Sequence, residues 1–305
     1  MAEIAAPRGA DWVEPPAGSP AVPSRRWWLR RPPIIPTLPM IMIGIIFFAA
    51  IFASVIAPFS PTKNHLFDSF TAPWGWEGGS STYILGTDFL GRDIFSRIIH
   101  GARISLTIAG LVILIGASVG TLVGIVAGYF GGLLDSILMR IADLVLGIPL
   151  ILVAIVLVTV TGASVGNIIF IVSAFVWPRY ARIIRSETLS LREQDFVMLA
   201  RVAGISSRRI MLRHILPNVV STLIVLCTLQ VGQVVLLESA LSFLGVGIPP
   251  PKPSWGIMVA DGRTNLTSGW WISLTPGLAI VVLVVSFNLV GDWLRDRLDP
   301  RLQRY

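Results

Sequence analysis

Few side chains in this sequence could do bond chemistry, and their spacing argues against it. Lys63 follows Thr62, Lys252 follows Pro251, and there is no third lysine. A loop that cradles phosphate needs Gly-Lys-Ser/Thr, so the chain has no nucleoside-triphosphatase site of that kind. His65, His100 and His214 are scattered without metal-ligand spacing, and solvated or packed histidines account for them. Cys227, the single cysteine, lies inside an apolar run and can form no intramolecular disulfide. Glu238 stands with Gln230 and Gln233 in an otherwise apolar stretch. An acid placed so either faces a cavity or partner, or sits at headgroup level. The remaining chemistry is that of arginine. Arg192, Arg201, Arg208, Arg209 and Arg213 crowd the polar interval 190–218. Such a cluster binds by charge, either as a docking surface or as an ordinary cytoplasmic loop of a membrane protein.

The interval itself reads as two short helices around a turn. Ser190 and Glu193 have capping-box spacing. Phe196, Leu199, Ala200 and Ala203 then share one helical face. Gly204 stands where a helix would stop, since glycine accepts a left-handed backbone cheaply. Ser206 or Ser207 can cap a second helix with Ile210, Met211, His214 and Ile215 on one side. Pro217 lacks an N–H and marks the start of the next apolar run.

The elements that must hold this elbow lie in a bilayer. Of 305 residues, 54% are hydrophobic and 13% charged, with mean hydropathy +0.76, more apolar surface than a soluble domain could hide. The fold class expected is an all-α membrane protein with six spans, at about 34–57, 104–129, 136–161, 165–184, 219–243 and 272–293. The net charge of +7 does not imply nucleic acid, because the arginines cluster at span ends and no nucleic-acid motif accompanies them. On this division residues 1–33 are a cytoplasmic, disordered N-terminal segment and 34–293 the membrane domain. An outer loop spans 58–100, a cytoplasmic loop 190–218 and a cytoplasmic tail 294–305. Ser24 to Leu29 looks like a twin-arginine export signal, but fits better as a juxtamembrane anchor. Eighteen of the 24 basic residues fall on the segments assigned inside and six outside, which sets both termini and the 190–218 loop in the cytoplasm.

Within the spans, Gly116, Gly120, Gly124 and Gly128 form one stripe where another helix can approach closely, as a static seam or a moving one. Arg140 and Asp143 have the spacing of an intrahelical pair, and Pro149 should kink the third span. Before the second span, Thr87 or Asp88 can cap a helix.

With the loop inside, its spacing resembles the EAA loop of ABC-importer permeases: Ala200, Gly204, Leu216 and Pro217 match, while Met198-Leu199-Ala200 replaces Glu-Ala-Ala and His214 replaces Ile. Other stretches are similar to dipeptide/oligopeptide permeases of the C type. They include Leu85-Gly-Thr-Asp-Phe-Leu-Gly-Arg-Asp93, Gly128-Tyr-Phe-Gly-Gly132, Arg213-His-Ile-Leu-Pro-Asn218, Leu241-Ser-Phe-Leu-Gly245 and Pro253-Ser-Trp-Gly256. The resemblance implies a type I ABC importer permease in a bacterial inner membrane, with the 190–218 loop as a helix-turn-helix coupling loop. The implied partners are a B-type permease subunit, two cytoplasmic ATPase domains, an extracytoplasmic solute-binding protein and membrane lipid. It implies no catalysis and no cofactor in this chain, with ATP and Mg in the ATPase partners. The coupling residues implied are Phe196, Ala200, Gly204, His214, Leu216 and Pro217, and the pathway candidates are Gln230, Gln233 and Glu238. The solute implied is a di- or oligopeptide, with glutathione or a nickel chelate as alternatives. A stand-alone ion-coupled transporter is a separate reading that would need midplane charges and inverted repeats.

Overall fold

A computed structural model describes residues 35–298. The N-terminal segment with its Ser24–Leu29 motif, and residues 299–305 of the tail, lie outside the described residues. The described chain builds eleven α-helices joined by loops, short 3-10 turns and one π-helical stretch: α1 (Thr37–Ile51), α2 (Ala53–Ile56), α3 (Ile94–Phe130), α4 (Gly132–Gly147), α5 (Leu150–Thr161), α6 (Val165–Arg192), α7 (Asp195–Val202), α8 (Ser207–Ile210), α9 (Leu216–Phe243), α10 (Trp255–Gly262) and α11 (Trp271–Leu298). Four stretches are long and apolar enough to cross a bilayer: α3, α6, α11, and the continuous run Ser207–Phe243. The expected third span is not one helix. It divides into α4 and α5, bent by 80°. Pro149 forms the N-cap of α5 with an extended backbone, and the residue before a proline avoids the helical region, so Ile148 and Pro149 together break the helix rather than kink it. The first span is also shorter than expected, since α1 has 15 residues, about 22 Å of helix.

α3 is the spine. Its 37 residues extend about 55 Å, more than the roughly 30 Å of hydrocarbon, so it projects beyond a bilayer. It begins ten residues ahead of the expected span because Asp93 caps it, accepting from the Ser96 N–H at 2.8 Å and the Ser96 hydroxyl at 2.6 Å. Neither Thr87 nor Asp88 caps the helix. Thr87 donates to the Asp68 carbonyl at 2.5 Å, and Asp88 takes part in a buried ion-pair cluster. Its carboxylate receives Arg92 Nε at 2.7 Å and Arg97 Nη1 at 2.6 Å, and Asp261 of α10 receives the other end of Arg97 at 3.2 Å. Burial pushes the Asp261 carboxyl above its ordinary range, against the downward pull of Arg97 and Arg92. The cluster ties the loop 57–93 to α10, and Trp271 Nε1 adds a bond to the Thr87 carbonyl at 3.0 Å. Arg103 answers the end of α1, donating to the carbonyls of Ala50 (2.8 Å) and Ile51 (2.7 Å) that have no partner within the helix.

The glycine stripe of α3 meets α6. A Cβ on Gly120 would lie 2.5 Å from the Trp177 carbonyl and 2.5 Å from Tyr180 Cβ; on Gly124, 2.7 Å from the Ala181 carbonyl; on Gly128, 2.7 Å from Thr188 Cβ. Gly116 is looser, 3.2 Å from Val176 Cγ1. Both sets of positions rise in fours along both helices, so the two run parallel, and the seam is close from Gly120 to Gly128. Ile108, Val112, Ile168 and Val172 extend it into the main core, which Val234 of α9 and Leu283 of α11 complete.

Candidate functional site

Two features could act: the elbow 193–217 and a cleft farther along the helices that carry it. In the elbow, α6 runs without interruption to Arg192, so Ser190 keeps a helical backbone and caps nothing. The capping box expected at Ser190 and Glu193 is not formed, because an N-cap needs a non-helical backbone. The next helix starts instead after Gln194. It ends at Gly204, φ +74°, with the Ile205 N–H on the Ala200 carbonyl (3.1 Å) and the Gly204 N–H on Arg201 (3.0 Å). That pair of bonds is the Schellman arrangement, and the turn expected of Gly204 is present. Ser206 occupies the next N-cap position without a side-chain cap bond.

The outward face of α7 differs from the expected one. Val197 and Ala200 are buried, while Phe196, Leu199 and Val202 are 37%, 68% and 86% exposed. Ala200 is therefore an internal packing residue and cannot be an exterior knob. With Ile210, Ile215 and Val219 it forms a small core against Ile125 and Tyr129 of α3 and Ile184 of α6. The π-helical stretch Met211–Ile215 turns Ile210 and Ile215 to the same side, and the Leu216 N–H reaches back to the Met211 carbonyl. This wide turn absorbs Pro217, which stands in the first turn of α9. Asn218 Nδ2 donates to the His214 carbonyl at 2.6 Å. The His214 ring lies 6.4 Å from that of Phe196, half-buried, and Leu216 is also half-buried. One arginine of the elbow and the last residue of α6 both reach α3. Arg201 stacks 4.8 Å above the Tyr129 ring, and Arg192 Nη1 donates to the Gly128 carbonyl at 3.2 Å. The elbow is thus clamped to the ends of three long helices.

The cleft lies between α6, α9 and α11. Two adjoining cavities of about 540 and 250 Å³ share Arg179, Ile183, Gln230 and Gln233. The larger reaches Ile148, Pro149 and Arg182, the smaller Asn288. Gln230 and Gln233 are therefore brought together on one opening. Glu238 is not. It is 1% exposed, lines neither cavity, and accepts from Ser242 Oγ (2.8 Å) and Ser254 Oγ (3.0 Å), so its carboxyl joins α9 to the start of α10. It opens onto neither of these cavities nor the surface of the described chain. A third cavity, about 780 Å³ between α3, the π-helical stretch and α9, is apolar apart from Ser118, Thr121, Arg208 and Cys227, and gives a polar solute little to orient it.

Arg179 falls near the inner end of the expected span 165–184. Because α6 continues to Arg192, Arg179 stands near the middle of a 28-residue helix instead. A usable signal was that no acidic residue lies three or four positions from it. The pair expected between Arg140 and Asp143 is also replaced: Asp143 binds Arg182 Nη2 of α6 at 2.5 Å, and Arg140 is exposed. Asp135 binds Arg185 in the same way, so α4 is strapped across α6.

A family model described as "Binding-protein-dependent transport system inner membrane component" matches residues 120–304. The chain is 39% identical over 265 residues to the dipeptide transport system permease protein DppC of Haemophilus influenzae, covering 87% of this chain and 90% of that one. It is 42% identical over 227 residues to the glutathione transport system permease protein GsiD of Pectobacterium atrosepticum, covering 74% and 75%. Among solved structures it is similar to a chain of the MetNI methionine ABC transporter in inward-facing conformations. The TM-score is 0.56 at 16% identity, over 67% of this chain and 97% of that one, a likeness of fold.

Proposed function

The chain belongs to the family of binding-protein-dependent transport system inner membrane components, and we propose that it carries peptides or peptide-like solutes as one half of a translocation pathway. It is a multi-pass membrane permease subunit of an ABC importer. The elbow end, with residues 1–33 and the tail, faces the cytoplasm, and the 57–93 loop faces outward, as the arginine distribution favours. ATP and Mg bind to partner ATPase domains, a second permease subunit completes the pathway, and an extracytoplasmic binding protein delivers the solute.

The observation that supports this reading is the elbow's two-sided build. One side is an exposed apolar strip on a basic surface, Phe196, Leu199 and Val202. The other is a packed core continuous with α3, α6 and α9. A partner that grips the strip and moves cannot slide the elbow alone; it tilts the helices to which the elbow is clamped. Phe196, His214, Leu216 and Pro217 shape that surface, Gly204 sets its turn, and Ala200 holds it from within. The four-glycine seam lets α3 and α6 move as one body. The test is reconstitution of the full complex in proteoliposomes, with ATP inside and a labelled dipeptide outside. Uptake that needs this chain, the ATPases and the binding protein together supports the reading. Dipeptide uptake by this chain alone under an ion gradient, without ATPases, would refute it.

A further inference from the structure

Four arginines line α6, and three have their charge answered. Arg182 binds Asp143 at 2.5 Å, Arg185 binds Asp135, and Arg192 donates to the carbonyl end of α3 while lying 3.7 Å from Glu193. Arg179 has no carboxylate partner among the described residues, although it stands midway along a membrane-crossing helix. Its side chain is exposed, and a guanidinium on such a helix belongs against water or an anion, not hydrocarbon. It borders both cavities, whose walls are largely apolar; their neutral polar side chains are Tyr180 and the carboxamides of Gln230, Gln233 and Asn288, which both donate and accept. No acidic side chain lines either cavity, and the one other cation, Arg182, is already paired. The opening therefore has one unanswered positive charge flanked by groups matched to amide N–H and C=O, in a volume of about 540 Å³ that suits a small molecule.

We propose that Arg179 receives the free carboxylate of the solute during passage, with Gln230, Gln233 and Asn288 contacting its amide groups. This rests on the permease reading above. The planar fork of arginine binds a carboxylate through two parallel bonds, which fixes the solute's orientation as well as its charge. A carboxylate side chain of the second permease subunit offers the same chemistry, and the experiment separates the two sources.

The full complex with Arg179→Gln or Arg179→Lys is reconstituted with ATP inside, and uptake of dialanine is compared with that of its C-terminal amide, each at concentrations saturating the binding protein. Wild type should move dialanine at least tenfold faster than Arg179→Gln, with Arg179→Lys between them. For the amide, wild type and Arg179→Gln should agree within about twofold. Stimulated ATPase activity and co-purification of all subunits should be unchanged in both variants. Dialanine uptake by Arg179→Gln within twofold of wild type overturns the proposal. So does an equal loss for acid and amide, or loss of the second permease subunit from the purified complex, which would mark Arg179 as an inter-subunit ion pair. A wild-type complex that moves neither dialanine nor glutathione refutes the proposed solute class, and this inference with it; a wild-type complex that moves them leaves only Arg179 in question.

Discussion

Truncating Leu199 tests the proposed coupling surface quantitatively. The side chain is 68% exposed on α7 and would be covered by a docked ATPase. Leu199→Ala removes three carbons, worth about 0.8 kcal/mol each when fully buried. Scaling by the exposed fraction gives about 1.6 kcal/mol of lost docking energy, or about fifteenfold in affinity. Val202→Ala removes two carbons from a side chain 86% exposed, about 1.4 kcal/mol or tenfold. These figures assume complete coverage, so they are upper bounds. The assay is binding of purified ATPase subunits to the permease pair in nanodiscs, at fixed salt because the surface is basic. Phe67→Ala is the control, since Phe67 is fully exposed on the 57–93 loop and should not change ATPase affinity. Affinity within twofold of wild type for both α7 variants would mean that this strip is not the gripped surface. An effect of Phe67→Ala equal to theirs would mean that the loss is general destabilisation.

Other outcomes follow from the packing. Gly120→Ala places a Cβ 2.5 Å from the Trp177 carbonyl and should lower stability by about 1–3 kcal/mol, read as a lower melting midpoint of the solubilised chain. Gly110→Ala, on the same helix with nothing within 4 Å, should be neutral or stabilising by up to about 1 kcal/mol. Asp88→Asn weakens a buried ion-pair cluster whose Arg97 partner is 3% exposed, and should cost about 3 kcal/mol in the same melting assay. Gly204→Val forces a left-handed backbone on a β-branched residue, a strain of about 1–2 kcal/mol where space itself is open. The chain should still insert while uptake per ATP hydrolysed falls; unchanged uptake and stimulated ATPase activity would remove Gly204 from the coupling path.

Much of this protein is legible without coordinates, because hydrophobic run length and backbone preference are local. Apolar runs declare a helical membrane protein, Gly204 declares a turn, and glycines four apart declare a close helix seam. What the structure alone decides is partnership. A period of four places Phe196, Leu199 and Ala200 near one another, yet whether that face meets solvent or α3 depends on how α7 docks, and Ala200 turns inward. Spacing offers Asp143 a neighbour in Arg140, but the guanidinium of Arg182 on another helix reaches it. Pro149 announces a disturbance, and the structure shows it as an 80° corner. Glu238 and Arg179 differ for the same reason. Each is an ionisable group on a helix long enough to cross a bilayer, but Glu238 finds two serine hydroxyls while Arg179 finds an opening, and an energy of desolvation depends on the groups that replace water, which the tertiary structure brings together.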